Sequence, residues 1–346
     1  MNLQASTLKA PMLRLLLALI LALCSEILLW IDPANRTIIG AGVLLAGYWA
    51  LAGLLIDWLT RYRVQSFFGL LATAGLYGML NGLLLNPQMA LIDVPRTLLT
   101  RVMGAHTLMG LLALSIFIAL QLGLRGRARR ALLLIAAAGL GIGWGGWARW
   151  SGAGIDVSTY NAAPPFGLTP ILWGAFACLL IGLIWIAKRR ATGSETAAPP
   201  TPAALIDTTA IYKLSPLGYF LAIALLTLNG VLHLNDGTLD SLSLSIIGAL
   251  IVFTWSILWY QTRKKGTSIM EQIDAGREPL LYWLAVALLL LIGGAIGYQL
   301  ARLPETGDPV AWFGAIFTAF GLVWLPAVTL VVGSRAIARQ ARALKL

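Results

Sequence analysis

Ten apolar runs divide this chain of 346 residues, each bounded by charged residues or by Gly, Pro, Asn and Asp punctuation. They lie at about 12–31, 37–58, 66–85, 103–124, 131–150, 168–187, 216–234, 242–261, 280–301 and 309–332. About 20 apolar residues carry a helix across the hydrocarbon core of a bilayer, and every run approaches or exceeds that length. Backbone in lipid must satisfy its own hydrogen bonds, so each run is expected to be helical. The pattern predicts an all-α polytopic membrane protein of about ten transmembrane helices.

Composition strengthens this picture and excludes a soluble domain. Apolar residues make up 59% of the chain and charged residues only 11%, against about 25% charged in an ordinary soluble domain. The first run follows Lys9 and Arg14 and superficially resembles a lipoprotein signal ending at Cys24. Leu23 stands where a small residue is needed and the apolar run continues to Trp30, so a retained helix is expected. Cys24 and Cys178 each lie alone in an apolar run, which offers neither a disulfide framework nor a paired-cysteine metal site.

The net charge of +11 and pI near 10.1 would suit a nucleic-acid partner, but the placement of the charges argues for a membrane. With the N-terminus in the cytoplasm, all but five of the 25 Lys and Arg residues fall in cytoplasmic segments, the exceptions being Arg36, Arg96, Arg101, Arg149 and Arg302. This is the positive-inside pattern, and it puts both termini in the cytoplasm. The expected partners are the lipid bilayer, with anionic lipid at the cytoplasmic face, and other membrane subunits; no nucleic acid is expected. The expected location is a prokaryotic-type cytoplasmic (inner) membrane.

Two connections differ from short turns. Segment 191–214 carries Thr-Gly-Ser-Glu and Ala-Ala-Pro-Pro-Thr-Pro, a linker composition without enough apolar surface to order itself. The outer loop 151–167 holds Asp156, Tyr160, Asn161 and Pro164-Pro165 and is long enough to carry function.

A repeat also runs through the chain. Span three ends Leu80-Asn81-Gly82-Leu83-Leu84, and span seven ends Leu228-Asn229-Gly230-Val231-Leu232. Span four opens Thr107-Leu108-Met109-Gly110, and span eight opens Ser245-Ile246-Ile247-Gly248. A separation of four spans keeps the direction across the membrane, so the predicted architecture is two parallel four-helix bundles. Bundle one is spans one to four, about 1–125, with span five extending that stretch to 150. Bundle two is spans five to eight, 131–262, with the cytoplasmic linker 191–214. Residues 263–346 add two extra C-terminal helices and a basic tail.

Asn81-Gly82, the Ala105-His106-Thr107-Leu108-Met109-Gly110 opening of span four, the basic turn 125–130, and Gly145-Gly146-Trp147-Ala148-Arg149-Trp150-Ser151-Gly152-Ala153-Gly154 together resemble the heme A synthase family, a cytochrome oxidase assembly family of two four-helix bundles. The resemblance covers about spans two to eight. It implies a heme held by histidines near the outer ends of even-numbered helices, four residues before a small residue. Applied to Gly40, Gly110, Gly174 and Gly248, that spacing points to Arg36, His106, Pro170 and Leu244, and a shift of one gives Asn35. Only His106 can ligate, so the bis-histidine sites are incomplete and heme A synthase activity is not expected. What the resemblance implies is at most one heme b or quinone-type site, with His106 as iron ligand.

The remaining candidates come from the residues themselves. His106 on a transmembrane helix is costly unless it is used or paired, and neutral imidazole is a good iron ligand. His233 is the only other histidine and offers an alternative partner for it, although the repeat places the two in different bundles. Glu26 is the only acid clearly inside a span and is a candidate proton relay or substrate contact, or simply a group facing interfacial water. Asn81 and Asn229 hold equivalent places in the two halves and suit interhelical hydrogen bonds. Trp144, Trp147 and Trp150 recur every three residues at the outer end of span five, as an aromatic belt does. The glycines from 139 to 146 leave that helix open to close approach by another helix or a flat ligand.

Phosphate-cradling loops, metalloprotease helices and paired metal-binding cysteines are absent from the sequence. Three functions remain open: a heme- or quinone-binding protein related to oxidase assembly, a non-catalytic transmembrane subunit of a respiratory or photosynthetic complex, and a small-molecule transporter.

Overall fold

The computed structural model describes residues 3–29, 38–87, 93–122, 127–152, 168–193, 212–234, 241–261, 268–272, 280–301 and 309–343. Among the described residues there is no strand. The helices are α1 (Leu3–Ala22), α2 (Ile38–Arg61), α3 (Phe67–Leu80), α4 (Thr107–Leu122), α5 (Arg127–Gly152), α6 (Leu168–Gly193), α7 (Pro216–Leu234), α8 (Ser241–Gln261), α9 (Leu280–Leu300) and α10 (Pro309–Ala343). Three of them carry π-helical stretches: Leu23–Leu28 after α1, Asn81–Leu85 after α3, and Leu98–His106 before α4. Eight helical segments among the described residues are long and apolar enough to cross a membrane, and Pro216–Leu232 is a shorter apolar helix. The chain is thus an all-α polytopic membrane protein.

Every expected run is helical. The α7 bounds coincide with those expected, and α2, α5 and α6 continue past their apolar runs through Arg61, Gly152 and Gly193.

The chain forms two compact units. One is Met1–Trp49, Ser115–Pro200 and Ile273–Phe313; the other is Ala50–Leu114, Thr201–Gln272 and Gly314–Leu346. These units alternate along the chain, whereas the repeat led to an expectation of consecutive bundles at 1–125 and 131–262.

In the first unit α5 packs along α9, and α6 packs on α1 and α9. Glycines set the first contact. A Cβ on Gly141 would meet the Leu290 carbonyl, one on Gly145 the Gly294 carbonyl, and one on Gly297 the Ile142 carbonyl. Only bare backbone permits such an approach. Close packing by a helix, one of the two readings of the glycines at 139–146, is therefore what they serve here, and α9 is an integral wall of this unit. Packing of α1 on α6 also brings Cys24 and Cys178 within electrostatic reach of one another, although their positions in sequence suggest isolation. Both are free thiols.

In the second unit α3 packs on α8, and α7 lies against Asn81–Leu85. Trp324 of α10 is buried, covers Gly75, and donates its indole N–H to the Met103 carbonyl at 2.9 Å. Gly104 and Gly321 meet the α10 and Leu98–His106 backbones respectively. Helix α10 is a structural member of this unit and not an appendage.

Candidate functional site

Helix α2 ends in a tight reversal. Arg63 takes the left-handed conformation with φ of 47°. The Arg63 N–H donates to the Thr60 carbonyl at 3.2 Å and the Val64 N–H to the Leu59 carbonyl at 3.0 Å, the paired bonds of a Schellman ending. Leu59 and Val64 are both fully buried, supplying the apolar contact that accompanies such an ending. Two further bonds fix the reversal. Ser268 Oγ donates to the Leu59 carbonyl at 2.7 Å, and the Ile269 N–H donates to the Val64 carbonyl at 2.9 Å.

One turn before this end lies Asp57, whose side chain has no exposure. Arg61, four residues on, reaches back with Nε to Oδ2 at 2.8 Å and Nη2 to Oδ1 at 3.0 Å. The Leu214 N–H donates to Oδ1 at 2.8 Å, and the Tyr219 hydroxyl donates to Oδ2. Four donors saturate the buried carboxylate, which is the condition for keeping a charge out of water. The strap Tyr212–Ser215 therefore folds onto α2. Tyr212 and Leu214 are buried, so the end of the 191–214 linker is ordered here, contrary to the expectation from composition. The remainder at 194–211 lies outside the described residues. Ser215 caps α7 by accepting the Gly218 N–H at 3.1 Å. The neighbouring Tyr62 phenol accepts the Trp255 indole N–H at 2.6 Å, and burial pushes its pKa above the ordinary value.

Arg61 differs from Asp57 in exposure. Its side chain is 42% exposed, and its guanidinium stacks 5.3 Å from the centre of the Tyr219 ring. Arg61, Leu214, Pro216 and Tyr219 line an open cavity of about 600 Å³. Asp57 is a second acid inside an apolar run, contrary to the expectation that Glu26 is the only one. The available signal was Asp57 and Arg61 spaced by four at the end of an apolar run.

No family model, curated protein or solved structure matches this chain.

The expected site residues fall in separate places. Glu26 lies in Leu23–Leu28, is 6% exposed, and accepts the Tyr48 hydroxyl at 2.5 Å. Its carboxylate is buried beside the Tyr48 phenol. Trp144 is buried and donates its indole N–H to the Ile27 carbonyl at 2.9 Å; Trp147 donates to the Leu29 carbonyl at 2.6 Å. Trp150 closes the same helix, with its side chain outside the described residues. Both indoles thus tie α5 to the end of the first helix.

Asn81 lies in the second π-helical stretch, donates to the Tyr77 hydroxyl at 3.1 Å, and accepts from Asn86 at 3.0 Å. Asn229 instead donates back to the Leu225 carbonyl of its own helix at 3.0 Å, so the two asparagines do not make equivalent bonds. His106 ends the third π-helical stretch, is 2% exposed, and leaves Nδ1 without a hydrogen-bond partner. His233 belongs to α7, and its side chain lies outside the described residues, as do Asn35, Arg36 and the loop 153–167.

A flat cofactor at His106 meets a packing obstacle. Gly110, one turn on, faces the Tyr77 ring, which rests where its Cβ would stand. Tyr77 is itself fully buried, so it is not a lid. The residues present therefore do not fit a heme on that face. Among the described residues no cluster of three or more His, Cys, Asp or Glu side chains is placed to hold a metal ion.

Proposed function

We propose that this chain is a ten-span protein of a prokaryotic-type cytoplasmic membrane, with both termini in the cytoplasm, that binds a small amphiphile in the cavity between the end of α2 and the start of α7. The observation that carries the reading is the cavity of about 600 Å³ that combines a held guanidinium with the apolar Leu214 and Pro216. The cavity is open to the surface, and its apolar walls beside a fixed polar group suit a molecule of both characters. The distribution of Lys and Arg supports a cytoplasmic interface for this end of α2, where an amphiphile has both its phases.

The test is photolabelling of the purified full chain with a diazirine-bearing monoacylglycerol, followed by peptide mapping. Label is expected on the peptides holding Leu214 and Tyr219, and Leu214→Trp is expected to remove it. Label spread evenly over all apolar helices in both proteins would sink the proposal. The topology has its own check. Lys213 is exposed, so a cysteine at that position should react with a membrane-impermeant maleimide in inverted vesicles and stay unlabelled in right-side-out ones.

A second reading is a heme b or quinone-type group at His106, the surviving element of the resemblance to heme A synthases. The unpartnered buried Nδ1 favours it, and Tyr77 packed on Gly110 opposes it. An absorption spectrum of purified protein, oxidised and reduced, decides between them. A Soret band lost in His106→Ala supports heme; a colourless wild type removes it.

A further inference from the structure

We infer that the cavity at Arg61 recognises a phosphate-bearing headgroup. The inference rests on the reading of that cavity as an amphiphile site and adds the chemical class of its ligand. Arginine carries five N–H donors in a rigid planar fork. Asp57 takes one edge of that fork, through Nε and Nη2, and this fixes the plane of the guanidinium. Beyond the edge taken by Asp57 the guanidinium also engages Tyr219, the side chain keeps 42% exposure, and Arg61 lines the cavity.

A guanidinium whose orientation is already set loses little freedom when it binds, and its fork geometry matches two phosphate oxygens. The Tyr219 ring under the guanidinium restrains it further. Asp57 does not compete for the ligand, because its two oxygens are occupied by four donors and have no exposure.

The surroundings agree with an anion. Arg63 and Lys213, each exposed, flank the lining residues in sequence and raise the local positive charge. The cavity wall formed by Pro216 and Tyr219 is the first turn of α7, where the helix dipole presents its positive end. Leu214 and Pro216 supply apolar surface for the carbon atoms next to a phosphate. A carboxylate would use the same fork. A phosphate offers more acceptor oxygens than a carboxylate to the exposed part of the guanidinium and to the flanking cations.

The two sources of such chemistry, a membrane phospholipid and a soluble phosphate compound, are separated by the test. Thermal midpoints of the detergent-purified full chain are measured against dioleoyl phosphatidylglycerol, dioleoylglycerol with the same tails, and glycerol 3-phosphate. Phosphatidylglycerol is expected to bind at least about tenfold more tightly than dioleoylglycerol, the scale of one charge-assisted hydrogen bond. Arg61→Lys, which keeps the charge and loses the fork, should erase most of that preference. Leu214→Trp, which fills the cavity and leaves the Leu214 N–H in place, should abolish binding of both lipids.

A midpoint shift by glycerol 3-phosphate equal to that of phosphatidylglycerol would support the phosphate chemistry and assign the site to a soluble ligand. Equal binding of the two lipids, unaltered by Arg61→Lys and lost in Leu214→Trp, would overturn the phosphate inference and leave the amphiphile site standing. Binding by none of the three probes, or binding that survives Leu214→Trp, would overturn both.

Discussion

The main-chain N–H of Leu214 donates to Oδ1 of Asp57 at 2.8 Å, closing a loop of 157 positions onto one buried carboxylate. The bond couples a polar side chain in an apolar helix to the ordering of a segment whose composition is that of a linker. Removing Asp57 should therefore release the strap. In Asp57→Leu the buried Leu214 N–H is stranded, at about 1–3 kcal/mol, and the part-buried Tyr219 hydroxyl adds less. Arg61, being partly exposed, turns to water and adds less. Tyr219→Phe removes one donor from an oxygen that Arg61 still satisfies, and should cost about 1 kcal/mol. Thermal unfolding in detergent and limited proteolysis near 212–215 check both; equal midpoints for Asp57→Leu and wild type would refute the clasp.

Arg63 at φ of 47° is the converse case, a residue whose conformation opposes its chemistry. The left-handed region costs an L-residue roughly 1–2 kcal/mol and costs glycine almost nothing. Arg63 is exposed, and the main-chain bonds of the reversal do not involve its side chain. Arg63→Gly should raise stability by about 1 kcal/mol, read as a higher midpoint. A lower midpoint would mean that the guanidinium holds a contact that outweighs the strain.

The helices were legible because a bilayer imposes one length on every span, and a run of apolar residues has one solution in lipid. Partner choice was not legible. The glycines of α5 announce a close neighbour, but bare backbone looks the same to any helix, and only the matching Gly293, Gly294 and Gly297 identify α9. Asp57 lies inside the second run, but its partner Arg61 falls beyond the run's end at 58, and only the continuation of the helix to Arg61 puts the two on one face. The π-helical stretches at Glu26, Asn81 and His106 have no sequence signature, since one extra residue per turn is set by what packs against the helix.

Glu26 and Tyr48 make a pair buried inside the first unit. Gln at position 26 keeps an oxygen acceptor for the Tyr48 hydroxyl, whereas Phe at position 48 leaves Glu26 without that donor. Tyr48→Phe should therefore destabilise more than Glu26→Gln, by about 1 kcal/mol, the worth of one buried hydrogen bond. Midpoints in the opposite order would show that the carboxylate, and not its acceptor oxygen, is what the fold or a ligand needs.

Gly145 and Gly139 lie on different faces of the same helix, six residues apart, and should respond oppositely to the same methyl group. At Gly139 nothing stands within 4 Å of an added Cβ. Gly139→Ala should gain about 0.8–1 kcal/mol, the difference in helix propensity. At Gly145 the added Cβ runs into the Gly294 carbonyl, with Tyr298 N at 2.7 Å, and neither is the far end of a flexible chain that can swing aside. The helices α5 and α9 would have to separate along their length, which also loosens the Trp144 ring packed on Gly294 and its bond to Ile27. Gly145→Ala should therefore lower the midpoint despite the same favourable propensity term, and Gly145→Leu should abolish monodisperse elution in detergent. The comparison separates packing from propensity, because propensity is common to both sites. If both alanine variants are stabilised alike, α9 does not lie on the glycine face of α5.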